Sequence, residues 1–223
     1  MREINPYLYN LHCHTLLSDG DLLPSEVAAR FSVLGYRVIA LTDHADYSNI
    51  KAVLNQTMEF CKRWPKDSKI KILPGVELTH LPLKQFKPLA GFARKQGARV
   101  IIGHGETPVE PVTEGTNRSA LLADIDILAH PGLITEEDAR LARKRNVFLE
   151  ITARSGHANT NNHVVEMAKR AGADLIVNID SHTPQDIILP EELSRIAERA
   201  GLSKEDIYKV NQKVSDFIKR KTS

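Results

Sequence analysis

Seven times along this chain a short run rich in apolar and β-branched residues gives way to a stretch with helical periodicity. That alternation restricts the fold to a parallel sheet covered by helices. The apolar runs fall at 7–13, 36–41, 69–73, 99–102, 125–129, 147–151 and 174–179, with helix signals at 24–34, 86–96, 136–145, 162–171 and 190–200. Thr135 with Asp138, and Ser203 with Asp206, have capping-box spacing, while Gly172 and Gly201 suit helix stops. Alternation by itself admits both an open sheet and a barrel.

At 223 residues the chain can build one good core. No linker rich in Pro, Gly or Ser divides it, and the irregular stretch 105–118 reads as a loop. A single domain over 1–223 is therefore expected, with only helices after about 184. No apolar run reaches membrane-spanning length, and Arg2, Glu3 and Asn5 stand where a signal peptide needs apolar residues, so a cytoplasmic protein without a membrane partner is expected. Cys13 and Cys61 form no CxxC pair, which removes support for a disulfide scaffold or a thiolate zinc site. A formal charge of +2, with Lys and Arg thickening only toward Lys219, Arg220 and Lys221, leaves little basis for a nucleic-acid partner.

The nine histidines are the unusual quantity, because most of them cluster at the ends of the apolar runs. The first run ends His12-Cys13-His14, and residues two apart on a strand project from one face, so both imidazoles can grip one ion while Cys13 packs on the other side. Later runs end in Asp43-His44, Val76-Glu77, His104, His130-Pro131 and Asp180-Ser181-His182. Asp19, in Ser18-Asp19-Gly20, lies close enough to fold back over the same site, although that triplet is also ordinary turn chemistry. In a parallel barrel all strand ends open at one mouth, and residues remote in sequence meet there. An isolated strand-end His is more often a hydrogen-bonded structural residue than a ligand, but donors at consecutive strand ends argue for a shared site.

Imidazole and carboxylate donors suit Zn, Mn or Fe. The candidate ligands are His12, His14, Asp19, His44, Glu77, His104, His130, Asp180 and His182. They exceed the needs of one ion, so two or three divalent ions are expected, with Glu77 as the bridging carboxylate.

Taken together, HxH at His12 and His14, Asp19, Thr-Asp-His at His44, Gly-Val-Glu at Glu77, His104, His-Pro at His130 and Asp-x-His at Asp180 and His182 resemble the polymerase and histidinol phosphatase (PHP) family. The resemblance implies a distorted seven-stranded (β/α)7 TIM-like barrel with a trinuclear centre. It also implies hydrolysis of phosphate esters by a metal-activated water. In that pattern His12, His14, Glu77 and Asp180 hold one ion, Glu77 reaches a second, and Asp19, His44, His104, His130 and His182 complete the others. Glu77, Asp180 and His182 are the expected catalytic residues.

For the substrate, Arg118 and Arg154 are the guanidinium groups best placed near strand ends, and His157 could bind substrate or donate a proton to the leaving group. A capped surface helix is the plainer reading for Arg118, and a polar loop for the other two. Asp43, His80 and Glu106 are candidates to orient ligands or carry protons, and His163 reads as solvated on its helix. Few aromatics for stacking bases favour a small phosphomonoester. The rival readings are a phosphodiesterase or nuclease, a two-metal amidohydrolase, and a non-catalytic barrel that binds RNA or protein.

Overall fold

In the computed structural model, which describes residues 8–222, the alternation resolves into a nearly closed barrel of parallel strands with helices outside. The chain runs β1 (Tyr9–Asn10), α1 (Pro24–Val33), β2 (Val38–Leu41), β3 (His44–Ala45), α2 (Ile50–Arg63), β4 (Lys71–Leu78) and α3 (Phe86–Gln96). It continues through β5 (Val100–His104), α4 (Thr116–Leu121), β6 (Ile127–Ala129), α5 (Glu136–Arg145), β7 (Phe148–Thr152), α6 (Asn161–Ala171), β8 (Leu175–Asn178), α7 (Pro190–Arg199) and α8 (Lys204–Thr222). The expected first run began at Tyr7, which lies outside the described residues.

Seven staves stand side by side in the order β1, β2, β4, β5, β6, β7, β8, and every pairing is parallel. The two-residue β3 continues the line of β2 and pairs with β4. Closure between β8 and β1 shows why the barrel is distorted. Side-chain amides stand in for part of the ladder there: Leu11 N donates to Asn178 Oδ1 at 2.9 Å and Ile179 N to Asn10 Oδ1 at 2.8 Å. Backbone bonding resumes nearer the mouth, where Asp180 N donates to His12 O at 3.1 Å and His14 N to Ser181 O at 2.9 Å.

The longest departure from expectation is β4, which runs through Pro74 and Gly75 to Leu78 instead of stopping at residue 73. Proline lacks a ladder donor, so a Pro-Gly pair reads as a strand end. Here the strand exchanges neighbours at that point: Leu41 pairs with Pro74 on one side and Val100 with Gly75 on the other. A Cβ at Gly75 would lie 2.6 Å from Val100 O, so glycine permits the close approach. Helix boundaries followed local chemistry more closely. Thr135 Oγ1 accepts from Asp138 N at 3.1 Å at the start of α5, and Ser203 and Asp206 make both bonds of a capping box before α8. Helix α4 begins at Thr116, inside the stretch expected to be loop.

The core is continuous, built from strand residues such as Ile39, Leu41, Val76, Ile101, Leu128, Leu149 and Val177 and from helix residues such as Phe31, Phe86 and Leu193. Helix α8 crosses the end of the barrel where strands begin. Phe217 packs edge-on to Phe148 at 5.4 Å, and Lys221 Nζ donates to Asp126 Oδ1 at 2.7 Å. The opposite end, where strands finish, is left for the polar cluster. Among the described residues no helix is long and apolar enough to cross a membrane.

Candidate metal centre

His12 and His14 follow β1 and are fully buried, with Cys13 between them turned the other way, its thiol donating to Ala40 O at 2.8 Å. His12 Nδ1 bonds Glu150 Oε1 at 2.8 Å, which directs Nε2 inward, 3.4 Å from Glu77 Oε2 and 3.5 Å from Asp180 Oδ1. His14 Nε2 lies 3.3 Å from Asp180 Oδ1 and 3.6 Å from Glu77 Oε2. His130 Nε2 approaches Glu77 Oε1 and Asp180 Oδ2, both at 3.7 Å. Asp19 comes back over this floor from its turn: its carboxylate is 3.5 Å from His44 Nε2, 3.4 Å from His182 Nε2 and 3.8 Å from His14 Nδ1.

These donors fall into groups whose ligand atoms lie within 4.8 Å of one another: His14, Asp19, His44 and His182; His12, His14 and Asp180; His12, Glu77 and His130; and His80, His104 and Glu110. Metal bonds of about 2.0–2.2 Å put neighbouring ligand atoms about 2.9–3.4 Å apart in octahedral or tetrahedral sites, close to most of these separations. His12 Nε2, both ring nitrogens of His14, both Glu77 oxygens and Asp180 Oδ1 are buried with no hydrogen-bond partner among the described residues. Buried polar atoms are normally satisfied, and an orphan costs about 1–3 kcal/mol, so lone pairs converging without donors fit divalent cations.

The electrostatics agree. Burial would push His12 down, but the carboxylates of Asp180, Glu150 and Glu77 outweigh it and hold the imidazole well above its ordinary range. His14 is held well below, by burial and by His44 and His182 beside it. Burial and then the neighbouring His104 do the same to His130. Glu77 is driven well below the usual carboxylate range because His12 and His44 overcome the cost of burial, while Asp180 is raised by burial, with Glu77 adding to the effect. Two buried carboxylates that raise the cost of each other's charge favour positive charge between them. His80, His130 and Asp180 also adopt positive φ, at 49°, 26° and 59°. Such backbone costs on the order of 1–3 kcal/mol per residue and persists where the surroundings impose it.

All nine expected ligands are thus brought to one mouth, although the donor atom of His104 groups with His80 and Glu110 and not with Glu77. Arg154 stands at the rim, its Nη1 3.4 Å from Asp180 O and its Nε 3.8 Å from Asp180 Oδ2. His157 is buried in the wall, its ring 4.4 Å from that of His130. Arg118 is not brought in: its guanidinium bonds Asp138 Oδ1 at 3.0 Å and Glu137 Oε1 at 2.9 Å in the first turn of α5. It stands half-exposed on α4, a helix without a side-chain cap, and those two carboxylates hold it there.

Other expectations change. Asp43 is neither at the surface nor bonded to a ligand imidazole. It is buried and accepts from Thr15 N, Thr15 Oγ1 and Ser18 Oγ, which shapes the turn carrying Asp19. Glu106 staples its loop, accepting from Asn117 N at 2.8 Å while its own N–H donates to Asn117 Oδ1 at 2.9 Å. His163 is half-buried on its helix, and its Nε2 bonds Ile134 O at 2.8 Å. Two residues were missed. Glu150, buried in β7, receives His12 Nδ1, Asn178 Nδ2 and His130 N, and its signal was a lone charge inside an apolar run. Glu110 comes from the 105–115 loop, where nothing in the local pattern marks it.

A hollow of about 380 Å³ opens beside the cluster, lined by Asp19, His44, Asp46, Ser48, Thr79, His80 and Glu110 among others. A larger one, about 480 Å³, lies by Met58, Arg94 and Lys221 at the far end of the barrel, away from the cluster.

A family model described as PHP domain matches residues 10–182. The chain is 42% identical over 204 residues to an uncharacterised protein of Methanocaldococcus jannaschii, covering 89% of this chain and 92% of that one. It is 24% identical to a probable phosphatase of Clostridium novyi, covering 93% and 92%. Among solved structures it resembles histidinol phosphate phosphatase of Lactococcus lactis, crystallised with zinc, L-histidinol and phosphate, with a TM-score of 0.62, 20% identity and coverage of 87% and 94%.

Proposed function

The chain belongs to the PHP domain family and carries the donor set of a metal-dependent hydrolase, and from that premise we propose that it hydrolyses a small phosphate monoester. The observation that carries the reading is the convergence of His, Asp and Glu side chains at one barrel mouth with buried donor atoms that no protein group satisfies. The donors suit two or three divalent ions, with zinc, manganese and iron as candidates. His12, His14, Glu77 and Asp180 would hold one, Asp19, His44 and His182 another, and Glu77 would extend toward His130. Bound ions of this kind supply Lewis-acid stabilisation to phosphoryl oxygens and acidify water.

The chain's own residues supply the rest. Glu150 fixes which nitrogen of His12 faces the cluster, and Asp43 fixes the turn that presents Asp19. Arg154, tethered at the rim only by long contacts, is free to swing its planar fork onto the oxygens of an incoming phosphate. His157, buried beside His130 with its Nε2 3.4 Å from Glu110 Oε1, is the group proposed to hand a proton to the leaving oxygen. A 380 Å³ hollow accommodates a compact ester, and a likeness to a probable phosphatase and to an enzyme crystallised with phosphate supports the monoester class.

The test combines elemental analysis with hydrolysis of p-nitrophenyl phosphate and bis(p-nitrophenyl) phosphate, before chelation, after it, and after adding back Zn, Mn or Fe. Bound metal and chelator-sensitive monoester turnover are expected. H12A and D180A should abolish turnover with the circular dichroism spectrum retained, R154A should raise KM more than it lowers kcat, and R118A should change neither. A protein that binds no metal would overturn the reading, and faster turnover of the diester would overturn its substrate class.

A further inference from the structure

The donor atom of His104 stands apart from the rest of the cluster. His104 Nδ1 faces Gly105 O at 3.0 Å, so the neutral ring carries its proton there and presents a lone pair at Nε2. That atom meets Glu110 Oε2 at 2.9 Å, and His80 Nε2 meets the same oxygen at 3.3 Å. Lone pairs on an imidazole nitrogen and a carboxylate oxygen come this close when a proton or a metal ion joins them. With bonds of about 2.0–2.1 Å, ligand atoms sit about 2.9 Å apart at right angles and about 3.3 Å apart at tetrahedral angles. The two observed separations are edges of that kind.

The loop is built to deliver this carboxylate. Its base is clamped by the reciprocal Glu106 and Asn117 bonds, and Val109 lies against Gly156, where an added Cβ would be 3.4 Å from Val109 Cγ1. Glu110 Oε1 is 3.4 Å from His157 Nε2 on that same neighbouring loop. His80 is held toward the carboxylate by a backbone with φ of 49°, and its ring is 4.7 Å from that of His104.

Resting on the reading of the mouth as a metal centre, we propose that the ion at His104 takes Glu110 and His80 as further protein ligands, so that one position of the centre is completed by the 105–115 loop. The experiment titrates chelated protein with zinc by calorimetry and records 113Cd NMR of the cadmium-loaded protein, for wild type, E110Q, H80A and, as a charge control on the same loop, E114Q. In E110Q one binding step should weaken tenfold or more and one 113Cd resonance should shift or vanish. H80A should affect the same step less, and E114Q should match wild type. Equal stepwise affinities and unshifted resonances in E110Q and H80A would overturn the proposal while leaving the metal centre intact. No zinc or cadmium binding by wild type would instead remove the reading beneath it. Glu110 and His80 lie on the rim and outside the core, so melting temperatures of the chelated proteins should be unchanged, and a large drop in E110Q alone would mark a structural role and overturn the proposal.

Discussion

Glu150 is the residue through which the scaffold controls the cluster, and changing it to glutamine separates charge from shape. The carboxylate is buried and accepts three hydrogen bonds: His12 Nδ1 at 2.8 Å and Asn178 Nδ2 at 2.9 Å on Oε1, and His130 N at 3.1 Å on Oε2. A glutamine in the same pose has one acceptor oxygen. Turned toward His12 and Asn178, it leaves its NH2 facing the His130 N–H; turned the other way, it faces two donors. The first pose is the less costly, and it strands one buried backbone donor at about 1–3 kcal/mol. At about 2–4 °C per kcal/mol for a chain of this size, E150Q should melt several degrees below wild type when both are metal-free. Removing a partner behind a ligand imidazole typically weakens metal binding about 10–100-fold. E150Q, which still accepts from His12, should sit near the lower figure, and E150A, which strands all three donors, near the upper. Thermal denaturation with chelator present gives the first quantity and zinc titration the second. Wild-type zinc affinity in both variants would refute the claim that Glu150 orients His12.

Zinc affinity should fall as pH is lowered, by about tenfold per pH unit for each proton displaced. His12 has its folded value raised by carboxylates, so its own contribution to metal-free stability is fully present below the unfolded value and lost as pH rises through the folded one, whereas metal loading has the opposite sign. Titration calorimetry in buffers of different ionisation enthalpy should register proton release on binding, and none would contradict it. D43A should leave Thr15 N, Thr15 Oγ1 and Ser18 Oγ without their acceptor, costing about 1–3 kcal/mol and weakening the ion shared by Asp19, His44 and His182; a melting curve and a zinc titration like those of wild type would show that Asp19 needs no such support.

Most of the mouth was legible because its residues obey a rule of position. A donor at the end of a parallel strand must open at the same end of the barrel as every other, whatever its neighbours do, and His12, His14, His44, Glu77, His104 and His130 therefore needed only the strand ends to be found. Pro74 and Gly75 cut short the expected third apolar run, yet Glu77 lies at a strand end as expected, because the strand continues through that pair to Leu78. Arg118 failed for the converse reason. It was expected near a strand end but lies within α4, where the direction of its long side chain is decided by Glu137 and Asp138, on a helix whose packing against α4 has no local signature.

Glu110 and Glu150 were hidden in different ways. A loop residue reaches a site by the path of its backbone, which depends here on the Glu106 and Asn117 clamp and on Val109 resting against Gly156; none of these leaves a periodic trace in sequence. Glu150 did leave one. The run Val147-Phe-Leu-Glu-Ile-Thr has apolar residues on both sides of one carboxylate, and a strand covered on both faces cannot hold a charge without buried partners. The site already contained the partners, because each ligand imidazole has a second nitrogen that needs an acceptor. His12 at the end of β1 needed an acceptor behind it, and the acids inside the apolar runs not assigned to the centre were Asp126, near the start of its run, and Glu150, in the middle of its own. Counting ring nitrogens that need an acceptor narrows the search to those two acids, and the structure puts Glu150 behind His12.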